Sequence, residues 1–436
     1  MNNDKNHKLP DRKKAMFILV VCSLLWMINF ADRQVLFIVL QPMKINLGFS
    51  DAISGWISTA IFISMAIFAM PVAYLADKWS RTKSIGIMAI FWSVCTFFIG
   101  TGNDFISVFV LRLLSGIGIA GFSSAAMALI TTSYPEDVRA RKMGIFNLFQ
   151  FIGIGIGLIG GGFISARLGG WRMPFFIFAF PGIIFGILAF FMKDYDNDTK
   201  NSYQKKTSLL NNIKSLISIP TLTWFYAGYI MFNIMTFAIL TWIPALLMRK
   251  YNVGEDIAGT VMAITGALSI PGVLLGGIIS DKWQKKNNAG RMKFASLMGL
   301  LSPAGIISAI LCIFIFHDIN NGFLSFYMIA GIVMFIIFCA TSAAVNPAVM
   351  AVTQSVVSKD LKGLAWGLCV FLIMVMGGAW SPTLAGYLSD FFNGGTRGLA
   401  FSLVIISSIG FGSFICWMMS SKYYHQDAEK VKFNNN

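Results

Sequence analysis

Twelve long apolar runs constrain this chain more than any other feature. They span residues 15–40, 53–76, 84–103, 105–133, 143–166, 172–192, 218–248, 257–280, 294–316, 322–350, 363–388 and 398–420. A helix needs about 20 apolar residues to cross the hydrocarbon core of a bilayer, and each run meets that length. Away from the ends, charge enters the runs in two places: Asp32 and Arg33 in the first, and Arg112 in the fourth. Only 12% of the residues are charged, where a soluble domain carries about 25%. A water-soluble enzyme would lack a polar coat, and disorder is excluded by the same apolar content. The first run starts after Lys13 and Lys14 and continues too long for a secretory signal, so it reads as the first membrane helix. The pattern predicts an all-α membrane protein with twelve transmembrane helices.

The formal net charge is +15. No nucleic-acid partner is expected, because the basic residues sit in short loops between apolar runs. Of the 34 Lys and Arg, 26 fall on the side of the N-terminus, six on the opposite side (Lys44, Arg167, Arg172, Arg249, Lys250 and Arg397) and two inside spans. Basic residues collect on the cytoplasmic face, so both termini are predicted to be cytoplasmic and the number of spans even. The six cysteines, Cys22, Cys95, Cys312, Cys339, Cys369 and Cys416, are scattered through apolar stretches without a metal-ligand spacing and read as small packed hydrophobes. His7, His317 and His425 fall in termini or a loop, so no metal site and no cofactor is expected. No Gly-Lys-Ser/Thr phosphate loop is present, which argues against ATP as a driving force.

The longest polar segment begins at Lys193 and divides the chain six runs to six. It predicts an N-terminal six-helix bundle over 1–192, a cytoplasmic linker over 193–217 and a C-terminal six-helix bundle over 218–436. Asn197 fits a glycosylation pattern on the wrong side of the membrane for that chemistry. The halves repeat one another. Residues 51–55, DAISG, correspond to 255–259, EDIAG, and at the same offset Asp77-Lys78-Trp79 corresponds to Asp281-Lys282-Trp283. Further on, Asp137-Val138-Arg139 and Gly144 correspond to Asp360-Leu361-Lys362 and Gly367. Two similar six-helix halves suit alternating access, in which one half rocks against the other around a midplane site.

The loop AYLADKWSRTK (73–83) and its counterpart GGIISDKWQKK (276–286) resemble the signature loop of the major facilitator superfamily, with Ala73 and Ser80 where that loop has glycines. Asp77, Lys78, Arg81, Asp281 and Lys282 are the candidate conformational latch, an acid at a helix end pairing with bases or a helix N-terminus. A purely topological role for the bases is the alternative. In the fourth run, Arg112 followed by Gly116 and Gly118 resembles the superfamily's fourth-helix motif. Glycines let helices approach, and an arginine is costly in lipid, so it is expected to face a cavity or a partner, or else to snorkel to water. The glycines of the fifth run, from Gly153 to Gly162, resemble the fifth-helix motif of antiporters with Leu158 in place of proline, and fit a close-packing seam equally well.

Asp32 is the acid placed deep inside a span, and an intramembrane acid is a functional candidate by default. Asn29 lies three residues before it and four before Arg33, so one helix face groups all three. Burial favours the neutral acid and the two arginines favour the carboxylate. Loading an anion onto the arginines therefore changes the affinity of Asp32 for a proton, which is a basis for coupling. A static Asp32–Arg pair is the alternative.

The first run with its ADRQVL, Gly170-Trp171-Arg172 followed by Phe180-Pro181-Gly182, Trp242-Ile243-Pro244 with Arg249, and Ser381-Pro382 with Gly386 and Asp390 resemble the Spinster-like branch of the superfamily over nearly the whole chain. The branch has an acid after the fourth-helix glycines; here the sequence is Gly118-Ile119-Ala120. The resemblance implies the major facilitator fold, two pseudo-symmetric bundles, and a proton-linked carrier of a lysophospholipid or sphingoid phosphate. Asp32 is then the proton-coupling residue, and Asn29, Arg33, Arg112, Tyr226, Tyr229, Asn233 and Asn346 are candidate substrate-binding residues. The aromatic residues Trp224, Phe225, Tyr226 and Tyr229 either line an apolar part of the cavity or form a lipid-facing belt. A small hydrophilic anion, a sugar acid or carboxylate, is the alternative cargo. A non-transporting sensor or scaffold would need an added soluble domain, for which the termini are short. An enzyme is not expected, since no nucleophile pattern appears. The expected partners are the substrate, protons and the bilayer; the expected state is a monomer in a bacterial inner membrane.

Overall fold

The structure, a computed structural model, describes residues 11–194, 209–318, 325–358 and 361–433. Among the described residues, every apolar run is helical over most of its length. In chain order the helices are α1 (Arg12–Leu47), α2 (Asp51–Lys78), α3 (Arg81–Ile99), α4 (Phe105–Ala120), α5 (Phe122–Ser133), α6 (Glu136–Gly155), α7 (Gly161–Leu168) and α8 (Met173–Ala189). There follow α9 (Leu209–Ile217), α10 (Pro220–Tyr251), α11 (Glu255–Lys286), α12 (Gly290–Ile310), α13 (Phe326–Ser355), α14 (Lys362–Leu372), α15 (Ser381–Phe391), α16 (Gly395–Ile409) and α17 (Gly412–Phe433). Among the described residues, 11 helical segments are long and apolar enough to cross a membrane, while Met173–Ala189 is shorter. Spans are helical because no water in the bilayer core can satisfy a free backbone group. The helices continue past the apolar runs: α10 and α11 each extend to 32 residues, about 48 Å at 1.5 Å per residue.

Glycine breaks up several spans. Gly121 separates α4 from α5, and a π-helical turn, Ile156–Gly160, joins α6 to α7. Further π-helical segments, Leu311–Phe316 and Ile373–Gly378, follow α12 and α14. The chain divides into two compact units. The first holds residues 1–47 and 60–205, the second 48–59 and 206–436. The opening residues of α2 thus pack with the second unit, although the rest of the helix belongs to the first.

In the first unit, packing follows the glycines. A Cβ on Gly153 or Gly157 would strike the carbonyl oxygens of Met27 and Ala31, so the fifth run lies backbone to backbone on α1. The close-packing reading of that seam is what the structure displays. Gly118 brings α4 within 2.9 Å of the Met88 carbonyl of α3, measured from where a Cβ would stand. Gly182 and Gly186 do the same for α8 on α3, at Ser93 and Ala89–Ile90. Helices in lipid associate through such close contacts and through interhelical hydrogen bonds, since water does not drive them together. Trp26 stacks on Phe122 and Phe146 at 5.9 and 5.3 Å, and Trp92 meets Phe122 edge-on at 5.3 Å. Asp194, just beyond α8, accepts from the Ser80 hydroxyl at 2.7 Å and the Arg81 amide at 2.8 Å, and so caps α3.

In the second unit, α10 packs on α17. Gly228 accommodates the Trp417 ring, whose Nε1 donates to the Phe225 carbonyl at 3.2 Å. Asp427 of α17 accepts from the Thr221 amide at 3.1 Å and its hydroxyl at 2.7 Å, which satisfies the start of α10. Five cysteines are buried and Cys312 is half-buried; all six are free thiols.

Candidate functional site

The centre of the first unit holds a buried polar cluster. Asp32 is 2% exposed, Arg112 1% and Asn29 fully buried, while Arg33 is half-buried. The glycine seam sets this geometry. Gly157 lies against Ala31 of α1, and the glycines of α4 bring that helix against α2 and α3, so a charge on α4 reaches the same interior as Asp32. Arg112 and Arg33 both lie within range to act on Asp32 electrostatically. The Thr96 hydroxyl of α3 donates to Asp32 Oδ2 at 3.0 Å. Arg33 also stands over the Phe30 ring at 5.1 Å.

Much of this cluster has no protein partner. Asp32 Oδ1, both side-chain heteroatoms of Asn29, and Nε and Nη1 of Arg112 are buried without a hydrogen bond, as are the Ser93 hydroxyl and the Trp92 indole nitrogen. Each such group costs about 1–3 kcal/mol, more when charged. A native protein carries few of them, and a concentration of several in one place marks a site where a ligand, a proton or water completes the set. Arg112 does not snorkel; it is enclosed by the unit.

The candidate binding residues of the second unit form a separate group. The Tyr229 hydroxyl donates to Asn346 Oδ1 at 3.0 Å, and Asn233 Nδ2 donates to the Tyr229 carbonyl at 2.7 Å. The Tyr226 hydroxyl is already engaged, donating to the Ala365 carbonyl at 2.9 Å. Tyr226, Tyr229 and Phe225 are buried in the unit, and Trp224 is partly exposed. Asn346 is exposed and Asn233 half-buried, so these two present polar groups where the tyrosines do not.

A buried acid–arginine ion pair stands at the start of α2. Both guanidinium branches of Arg249 donate to Asp51, Nη1 to Oδ2 at 2.8 Å and Nη2 to Oδ1, and the Ser389 hydroxyl donates to Oδ2 at 2.6 Å. Asp390 accepts from the amides of Asp51 and Ala52 at 3.0 and 2.8 Å, capping α2. Thr59 and Thr383 bond at 2.8 Å, and Gly55 lies against the Pro382 backbone. Sequence reasoning took Asp51 only as a repeat marker. Its one hint was that Arg249 and Asp390 stand among the residues of the family resemblance.

A model of the Major Facilitator Superfamily matches residues 22–382. The chain belongs to the Major Facilitator Superfamily. This superfamily transporter is 25% identical over 454 residues to the protein spinster homolog 1 of Xenopus laevis, covering 96% of this chain and 83% of that protein. It is 25% identical over 320 residues to a probable galactarate/D-glucarate transporter of Bacillus subtilis, covering 66% of this chain and 70% of the other. Among solved structures it is similar to a bacterial homolog of the human lysosomal transporter Spinster in an inward-facing and unoccupied conformation, with a TM-score of 0.78, 20% identity, and coverage of 97% and 98% of the two chains. It is also similar to a D-xylose–proton symporter, with a TM-score of 0.72, 16% identity, and coverage of 94% and 99%. The likeness to both structures is one of fold.

The residues assigned to the latch of this transporter lie at or near the ends of α2, α3 and α11. The Asp77 side chain, like Asn197 and Asp360, lies outside the described residues. Lys78 is exposed and stands 5.8 Å from the Tyr74 ring centre. Arg81 is tied through its amide to Asp194. In the repeat, Asp281 pairs with Arg291 of α12 at 2.7 Å, and Lys282 is exposed. Thr96 is the residue that sequence reasoning missed in the buried cluster. A threonine in an apolar run carries no signal until the fold places it on an acid.

Proposed function

We propose that this transporter is proton-coupled and works by rocker-switch alternating access between two six-helix bundles, with both termini cytoplasmic. Asp32 takes up and releases the proton, and Arg112 with Arg33 binds the anionic head of an amphipathic organic anion of the lysophospholipid or sphingoid-phosphate class. The observation that carries this reading is the partly unpaired Asp32–Arg112 cluster, with Asp32 steadied on one oxygen by Thr96 and open on the other. Guanidinium groups suit phosphate and carboxylate because they present a planar set of charge-assisted donors. When an anion occupies them, their charge is offset and Asp32 holds its proton differently, which links the two cargoes. Similarity to spinster homologs supports the amphipathic substrate. Similarity to the probable galactarate/D-glucarate transporter supports a second reading, in which the same arginines hold a sugar acid.

Proteoliposome uptake under a pH gradient tests the reading. Lysophospholipids, sugar acids and carboxylates are first screened by the melting shift they give the purified protein, since a ligand that binds only the folded state stabilises it. The substrate so found should be taken up by wild type, and Asp32→Asn should abolish the pH-driven component while substrate still shifts the melt. Full pH-driven uptake by Asp32→Asn would leave Asp32 as a structural partner of the arginines.

A further inference from the structure

Where α1 begins and α8 ends, a cavity of about 510 Å³ is lined by Asp11, Lys13, Lys14, Phe17, Phe191 and Lys193. It lies wholly in the first unit. Lys13 and Lys14 come from the first turn of α1, and Lys193 follows α8 from far along the chain. All three lysines are exposed, and no ion pair engages them among the described residues. Asp11 offsets one of the three charges.

The same cavity carries the opposite chemistry on its other side. Phe17 is 36% exposed and Phe191 74% exposed. Along α1 the order is Lys13, Lys14, Ala15, Met16, Phe17; along the other segment it is Phe191, Met192, Lys193. On both elements, charge and phenyl are thus adjacent at the point where an apolar span gives way to polar chain. A basic pocket of this kind between helix ends, level with the headgroups, suits the phosphate of an anionic lipid, and phenyl rings at the same level suit its first chain carbons. Free phosphate would use the lysines and leave the rings without a role.

We propose that this cavity is a binding site for an anionic phospholipid, with the lipid phosphate held by Lys13, Lys14 and Lys193 and its acyl chains running along Phe17 and Phe191. The site is distinct from the Asp32–Arg112 cluster and does not depend on what the transporter carries. Each lysine near an anionic surface is worth about fivefold in affinity.

Native mass spectrometry of the full-length protein, released from nanodiscs of phosphatidylcholine and phosphatidylglycerol, tests this. Wild type should retain phosphatidylglycerol in preference to phosphatidylcholine. The Lys13→Gln/Lys14→Gln/Lys193→Gln variant should lose that preference by about tenfold or more, while Lys13→Arg/Lys14→Arg/Lys193→Arg keeps it. Excess inorganic phosphate should not displace the lipid. Equal retention by the glutamine variant would overturn the proposal. So would displacement by phosphate alone, which would mark a free-anion site. An equal loss in Lys282→Gln/Lys285→Gln/Lys286→Gln, a change of the same charge at the end of α11, would show general attraction and overturn it as well.

Discussion

Two buried acid–arginine groupings in this protein are built in opposite ways: Asp51 and Arg249 form an ion pair, while Asp32 and Arg112 share a buried cluster. In the second unit, Asp51 receives Arg249 on both oxygens and Ser389 on one of them, and the helix that carries it is capped by Asp390. In the first unit, Asp32 receives Thr96 on one oxygen, while its other oxygen and two nitrogens of Arg112 are buried without a partner. Desolvating two charges is offset only when their remaining hydrogen-bond positions are filled. The Asp51 pair meets that condition within the protein and behaves as a fastening. The Asp32 cluster does not, and such an unfilled set persists where something that comes and goes fills it. Burial alone therefore does not distinguish a structural pair from a functional one; the count of filled positions does.

Changing the saturated pair should produce the largest effect on stability. Arg249→Met takes the guanidinium away from the buried Asp51 carboxylate and should cost about 3–5 kcal/mol, read as a large drop in melting temperature. The double change Asp51→Leu/Arg249→Met should recover part of the loss, because the carboxylate is removed with the guanidinium. An unaltered melt in Arg249→Met would show that the Asp51–Arg249 pair is not a fastening.

Arg112 offers the complementary test. Arg112→Gln should weaken binding of the anionic substrate by about 1.5–3 kcal/mol, the worth of a charge-assisted hydrogen bond, measured as the loss of the ligand-induced melting shift. Its effect on the unliganded melt should be smaller than that of Arg249→Met, since fewer of its positions are filled. The reverse order would make Arg112 the fastening.

The smallest effect should come from Thr96. Thr96→Val removes a donor from the Asp32 carboxylate and should alter the pH profile of proteoliposome uptake while leaving substrate binding in place. Thr96→Ser should restore the profile. A profile unchanged in Thr96→Val, alongside loss of pH-driven uptake in Asp32→Asn, would confine the coupling role to the acid itself.

Asp32 and Arg112 were legible in the sequence because a charge stands out against 20 apolar neighbours. Asp51 and Arg249 were not, because each lies at the end of a run, where charges are ordinary, and 198 residues separate them. Tyr226 illustrates a different gap. Its residue type suits a binding site, yet its hydroxyl is committed to the Ala365 carbonyl, which only packing reveals. The fifth-run glycines were readable as a seam or as a motif, and the approach of Gly153 and Gly157 to the α1 backbone shows the seam.

The sequence by itself determined that this is an all-helical membrane protein of the major facilitator type. Run length against bilayer thickness and the obligation to satisfy every backbone group leave a chain of this kind little choice. It also placed the one acid deep in a span. What only the tertiary structure decided is which charges are completed by the protein and which are left open. That depends on hydrogen-bond geometry between helices far apart in the chain, a matter of ångströms that residue type and spacing along one helix do not encode.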